Sequence, residues 1–76
     1  MRDFKKFMID LRLQFEESDA QLLQANTKFR DLGTFDSLTR FSIVAYIDDE
    51  YNFKLPDNIF TIVQTPQELF NFMSNE

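Results

Sequence analysis

The sequence predicts an all-α fold: a small four-helix bundle of three main helices and one short third helix, with a long first loop, in a single domain spanning 1–76. Three observations carry that prediction. Phe4, Phe7, Met8, Leu11 and Phe15 repeat at helical spacing on one face. Asp36 stands as a favoured N-cap before a long apolar-acidic run ending at Tyr51. Thr65-Pro66-Gln67-Glu68 reads as a third start, with Thr as cap, Pro at the first helical position and Glu placed for a capping box.

Taken in order, the first helix is expected over Asp3–Glu16, with Lys5, Lys6, Asp10 and Arg12 off its apolar face. An aromatic stripe at this spacing is read as core. From Ser18 to Phe35 no long periodic segment recurs. Leu22, Leu23, Phe29 and Leu32 are spaced like anchors of a loop laid over a core, with a short helical turn near Ala20–Gln24 capped by Ser18 or Asp19. Gly33, the only glycine, marks the end of that loop and is read as supplying a backbone conformation that other residues resist.

The central helix is expected over Ser37–Tyr51. Val44, Ile47 and Tyr51, with Ile43 at the edge, form its inner side, while Leu38, Phe41 and Ala45 lie nearly opposite, bordered by Ser42, Asp48 and Asp49. An apolar strip rimmed by acid is the pattern of a docking surface. The competing reading has another element covering Leu38 and Phe41. Arg40 falls one turn before Val44, toward the inner side and close above Ser37. From there its guanidinium reaches Asp36, Asp31 or a phosphate attached at Ser37, an ordinary surface salt bridge being the simplest outcome. After a loop that Pro56 keeps extended at Leu55, Ile59, Phe60, Ile62 and Val63 form a short helix. The last helix runs to about Met73, with Leu69, Phe70, Phe72 and Met73 on its apolar side.

Composition narrows the chemistry. There is no cysteine and no histidine among the 76 residues, so thiolate nucleophiles, disulfides and the commonest general base and metal ligand are all excluded. No pair of carboxylates stands out as an acid/base couple, and no intrinsic metal site is expected. An enzyme is therefore a poor reading. No apolar stretch approaches a secretory or membrane-spanning segment, which leads to the expectation of a cytoplasmic protein without membrane insertion.

Charge is uneven. Residues 1–30 carry six basic and five acidic side chains, whereas 31–76 carry two basic and eight acidic ones, a net of −6 in that half. Nothing forms the basic stripe that nucleic acid requires. The acidic half points to basic protein partners, the same acid also serving solubility.

Asp36-Ser37-Leu38 is where chemistry looks prepared. A hydroxyl on the first helical residue sits at the positive end of the helix dipole, where a phosphate ester is favoured. The surroundings of that tripeptide extend the pattern. Phe29-Arg30-Asp31-Leu32-Gly33 precedes it; Ser42 to Tyr51, then Leu55-Pro56-Asp57 and Thr65-Pro66-Gln67-Glu68-Leu69, follow at matching distances.

Over nearly its whole length, and most specifically from Thr27 to Met73, the chain resembles an acyl carrier protein. The resemblance implies a four-helix bundle of the acyl-carrier type. It also implies covalent 4′-phosphopantetheine on Ser37, flanked by Asp36 and Leu38, which makes the chain a phosphoprotein in that sense. A Mg²⁺-dependent phosphopantetheinyl transferase would install the group, and acyl groups would be carried on it as thioesters. On the same grounds Leu38, Phe41, Ala45, Asp48 and Asp49 belong to a partner-binding face. It would meet basic docking patches on an acyl-loading ligase and on acyltransferase or synthase enzymes. Ile43, Val44, Ile47, Tyr51, Ile59, Val63 and Leu69 are candidates for lining an acyl pocket. A monomer is expected.

Three departures from the fatty-acid-synthesis pattern point to a specialised carrier in a dedicated lipid or secondary-metabolite pathway. Thr34-Phe35 makes the spacing between Gly33 and Asp36 one residue longer, Ser42 stands where glutamate is common, and the short third helix is apolar. An aminoacyl or peptidyl carrier loaded by an adenylating enzyme, and a cofactor-free helical adaptor, are the alternatives.

Overall fold

The computed structural model describes residues 3–33 and 35–74. Thr34, part of the lengthened spacing before Asp36, lies outside the described residues. The elements are α1 (Phe4–Arg12), α2 (Glu17–Leu22), a 3-10 turn (Phe29–Asp31), α3 (Ser37–Tyr51), α4 (Ile59–Ile62) and α5 (Pro66–Ser74). All regular elements among the described residues are helical, as expected of an acyl-carrier-type bundle. The long first loop contains more helix than its sequence suggests.

α1 begins at Asp3, whose side chain accepts the Lys5 N–H at 3.0 Å. The expected run to Glu16 stops as an α-helix at Arg12. Leu13, Gln14 and Phe15 then bond back three residues each, to Asp10, Leu11 and Arg12, at 3.0–3.2 Å. The ladder tightens because Glu16 serves the next element: its carbonyl accepts from Ala20 at 2.8 Å as the N-cap of α2. Neither Ser18 nor Asp19 caps that helix, as both lie inside it. Phe15 nevertheless remains buried.

The connection between α2 and α3 is tied to the core by polar bonds rather than by periodic apolar residues. The Arg12 guanidinium donates to the Leu23 carbonyl at 2.8 and 3.2 Å. Phe29 N–H donates to Gln64 O at 2.8 Å, and Gln67 N–H to Ala25 O at 2.9 Å, linking the connection to the α4–α5 turn. Leu23, Phe29 and Leu32 are its buried anchors, whereas Leu22 is exposed. Gly33 does not have positive φ, and a Cβ there would meet no atom within 4 Å. Among the described residues the left-handed one is Asn52 (φ 53), which ends α3.

α3 and α5 start where the sequence places them. Thr65 Oγ1 accepts the Glu68 N–H at 3.1 Å, while the Glu68 carboxylate reaches one residue further back than a standard capping box, to Gln64 N–H at 2.7 Å. α1 packs against α2 and α5. Phe7, Leu11, Ile43, Ile47, Leu69 and Met73 are fully buried in the core. No helix among the described residues is long and apolar enough to cross a membrane.

Candidate functional site

Ser37 is the first residue of α3 and is exposed. Asp36 before it is extended (φ −112, ψ −174), and its Oδ1 accepts the Thr39 N–H at 2.9 Å. Its carbonyl accepts from Arg40 N–H at 3.0 Å and so opens the helical ladder. The Thr39 backbone bond is the first cause holding the Asp36 carboxyl below its usual range; other local hydrogen bonds add to it, and burial opposes it. A carboxylate stabilised in its charged form and engaged in capping is a poor base for the neighbouring serine.

The approach to Ser37 is built from aromatic rings. Phe35 stacks on Phe29 at 5.3 Å and meets Phe60 of α4 edge-on at 5.2 Å, while Phe29 meets Phe60 at 5.5 Å. Phe15 extends the stack, 6.3 Å from both Phe29 and Phe35. The Arg40 guanidinium lies 5.5 Å from the Phe35 centroid, over its face. This replaces the expected carboxylate pairing with Asp36 or Asp31. Arg40 is exposed rather than turned to the inner side, and a helical-wheel reading cannot find a ring that enters from the preceding loop. Phe35, Phe60 and Arg30 line one groove with Arg40, a grouping that local periodicity does not reveal; the extra residue before Asp36 was the available signal for Phe35.

Along α3 the two faces separate. Leu38 is 75% and Phe41 70% exposed. Ala45 and Asp49 are exposed, and Asp48 is half-buried and paired with Lys54 at 3.5 Å. On the inner side Ile43 and Ile47 are fully buried, and Val44 and Tyr51 are half-buried. Ile59, Val63 and Leu69 are buried from the α4–α5 side. Of the residues expected to line an acyl pocket, Val44 and Ile59 border a surface groove of about 300 Å³. Val63 borders a second, of about 280 Å³, with Phe29, Phe35 and Phe60. Tyr51 packs against Phe7 at 6.2 Å. A more polar groove is lined by Gln14, Glu16, Thr39 and Ser42 together with Asp36 and Leu38, the two sequence neighbours of Ser37. Among the described residues, no group of three or more His, Cys, Asp or Glu is gathered to hold a metal ion.

A family model described as the phosphopantetheine attachment site matches residues 11–73, a span that starts inside α1 and ends in α5. The chain belongs to that phosphopantetheine attachment site family. It is therefore a phosphopantetheine-bearing carrier protein, of a family whose domains are generally non-catalytic. Such carriers work through a phosphopantetheinyl transferase and partner enzymes. No solved structure gives a significant match to this member of the family.

Proposed function

We propose that the chain is an acyl carrier protein whose 4′-phosphopantetheine is attached through Ser37 Oγ. The observation that carries this reading is an exposed hydroxyl on the first residue of a 15-residue helix, inside the matched span. The residues around it fit a phosphodiester. The first turn of α3 offers its dipole, and Arg40 lies one turn along the helix. When bound, the group supplies a terminal thiol that holds an acyl group as a thioester. Ser37 has no base of its own, since Asp36 is engaged with Thr39. Its proton must therefore pass to the transferase that modifies it.

The exposed strip of Leu38, Phe41 and Ala45, with Asp49 beside it, supports docking to basic, partly apolar patches on the transferase, a loading ligase and acyltransferase or synthase partners. Asp48, already paired with Lys54, contributes less to that face than Asp49.

The deciding experiment incubates apo protein with coenzyme A, Mg²⁺ and a broad-specificity transferase and measures intact mass. One phosphopantetheine is expected on the wild type and none on Ser37→Ala. Equal labelling of both proteins overturns the assignment. Asp48→Lys combined with Asp49→Lys is expected to slow loading at low salt while leaving the helical circular-dichroism signal intact. Unchanged kinetics remove this face from the docking account.

A further inference from the structure

Among the described residues, Arg30 and Arg40 are cations without acidic partners. The chain carries 13 acidic side chains, yet neither guanidinium forms an ion pair among the described residues. Arg40 lies over the Phe35 ring, and Arg30 Nη2 donates to the neutral Gln64 Oε1 at 3.1 Å. Lys54, which with Arg40 makes up the two basic residues of 31–76, pairs with Asp48. Ring stacking and a hydrogen bond to a side-chain amide hold the two guanidiniums without neutralising them, which leaves donors free for a planar acceptor.

Both arginines line one groove of about 370 Å³ between the chain entering α3 and the short α4. Its apolar walls are Phe35 and Phe60, with Thr61 beside them, and Asp57 is the one acid among its lining residues. Arg40, Asp57 and Phe60 also border the adjoining groove that runs toward Val44 and Leu55. An apolar trough with two cations against one anion suits a short carbon chain ending in a carboxylate. It disfavours an ammonium at the same end.

We infer that this groove binds the free carboxylate of a dicarboxylic acyl group, held by the protein as a half-thioester, through Arg30 and Arg40. This rests on Ser37 as the attachment point. The groove adjoins that point, because Phe35 lies two residues before Ser37 and Arg40 three residues after it. The end of an arm anchored at Ser37 returns there only by folding back, so the groove must offer a specific attraction to hold it. Two guanidiniums offer that to a carboxylate and offer nothing comparable to a plain alkyl chain. An aminoacyl cargo would place its ammonium against them.

The test loads apo protein from coenzyme A, butyryl-, succinyl- or β-alanyl-coenzyme A with a broad-specificity transferase, and intact mass verifies each product. The Nε–H resonances of Arg30 and Arg40, assigned with Arg30→Lys and Arg40→Lys, are then compared. The succinyl form is expected to shift both resonances relative to the unacylated form, while the butyryl and β-alanyl forms leave them in place. Arg30→Gln with Arg40→Gln should abolish the succinyl-dependent shifts of the 57–61 backbone amides, and Asp57→Asn should enlarge them. Identical spectra for the succinyl and butyryl forms overturn the inference and leave the Ser37 assignment standing. So does a shift already complete in the unacylated form, which would mean that the guanidiniums meet the arm's phosphodiester. Equal shifts with β-alanyl would rule out charge recognition. If no mass is added at Ser37, both readings fall.

Discussion

Two aromatic clusters sit along α3, and they are built differently. Phe4, Phe7 and Phe70 pack with Tyr51 and Tyr46 toward its C-terminal part, their ring centroids 5.0–6.2 Å apart. These rings belong to α1, α3 and α5, the three longer helices. Polar bonds hold the same region: Lys6 pairs with Asp10 at 2.6 Å and Glu50 at 3.1 Å, and the Tyr46 hydroxyl lies within hydrogen-bond distance, 3.3 Å, of both the Asp10 carboxylate and the Tyr51 hydroxyl. At the Ser37 end, Phe15, Phe29 and Phe35 come from turns and loops, and Phe60 from the four-residue α4. There, ring packing replaces helix length. The difference teaches that the frame rests on long helices at the C-terminal part of α3 and is assembled from short pieces beside Ser37.

Truncating a ring in each cluster is the strongest way to break this contrast. Phe29→Ala and Phe7→Ala each remove a fully or almost fully buried phenylalanine, and urea titration should show a loss of about 3–5 kcal/mol for either. Only Phe29→Ala should also slow phosphopantetheine loading of the fraction that stays folded. Equal loading defects would mean that the two clusters act as one unit. Tyr46→Phe removes a half-buried hydroxyl from the distal network and should lower stability by about 1 kcal/mol in the same titration without altering loading.

Acid separates the ends more gently. The folded-state carboxyls of Asp36 and Asp10 are both held low, the first chiefly by the Thr39 backbone bond and the second chiefly by the Lys6 side-chain bond. Their stabilisation is complete above the ordinary carboxylate range, near pH ~4, and is lost as pH falls through the lowered values. Asp36→Asn keeps a capping oxygen but cannot titrate, so its thermal midpoint should fall less on acidification than that of the wild type. Asp36→Ala should lower the midpoint at neutral pH as well. Gly33→Ala is the smallest change and the opposite in sign. With open space around it and no positive φ, it should stabilise by about 0.4–1 kcal/mol.

The same contrast explains what could be read in the sequence. α3 and α5 carry their own start signals in Asp36 and Thr65, so local chemistry was enough to find them. The end of α1 was not legible, because the tightening from Arg12 to Phe15 depends on Glu16 belonging to the next helix. The Ser37 tripeptide and the exposure of Leu38 and Phe41 followed from capping and helical period. The ring stack around it did not, since Phe15, Phe29, Phe35 and Phe60 share no local spacing. Arg40's partner was hidden for the same reason. Gly33 misled, being read as a conformational need where the structure has none.

The distribution of ring types has an optical consequence. The chain has no tryptophan and two tyrosines, and both tyrosines lie in the distal cluster with ring centroids 5.8 Å apart. Tyrosine absorbance and emission therefore report on the α1–α3–α5 end, while the phenylalanine stack beside Ser37 is nearly silent at those wavelengths. Tyr46 lies nine residues beyond Ser37, ~14 Å along the helix axis. A tyrosine emission change on loading would register strain carried down α3, and an unchanged signal would mark a helix that keeps its two ends independent.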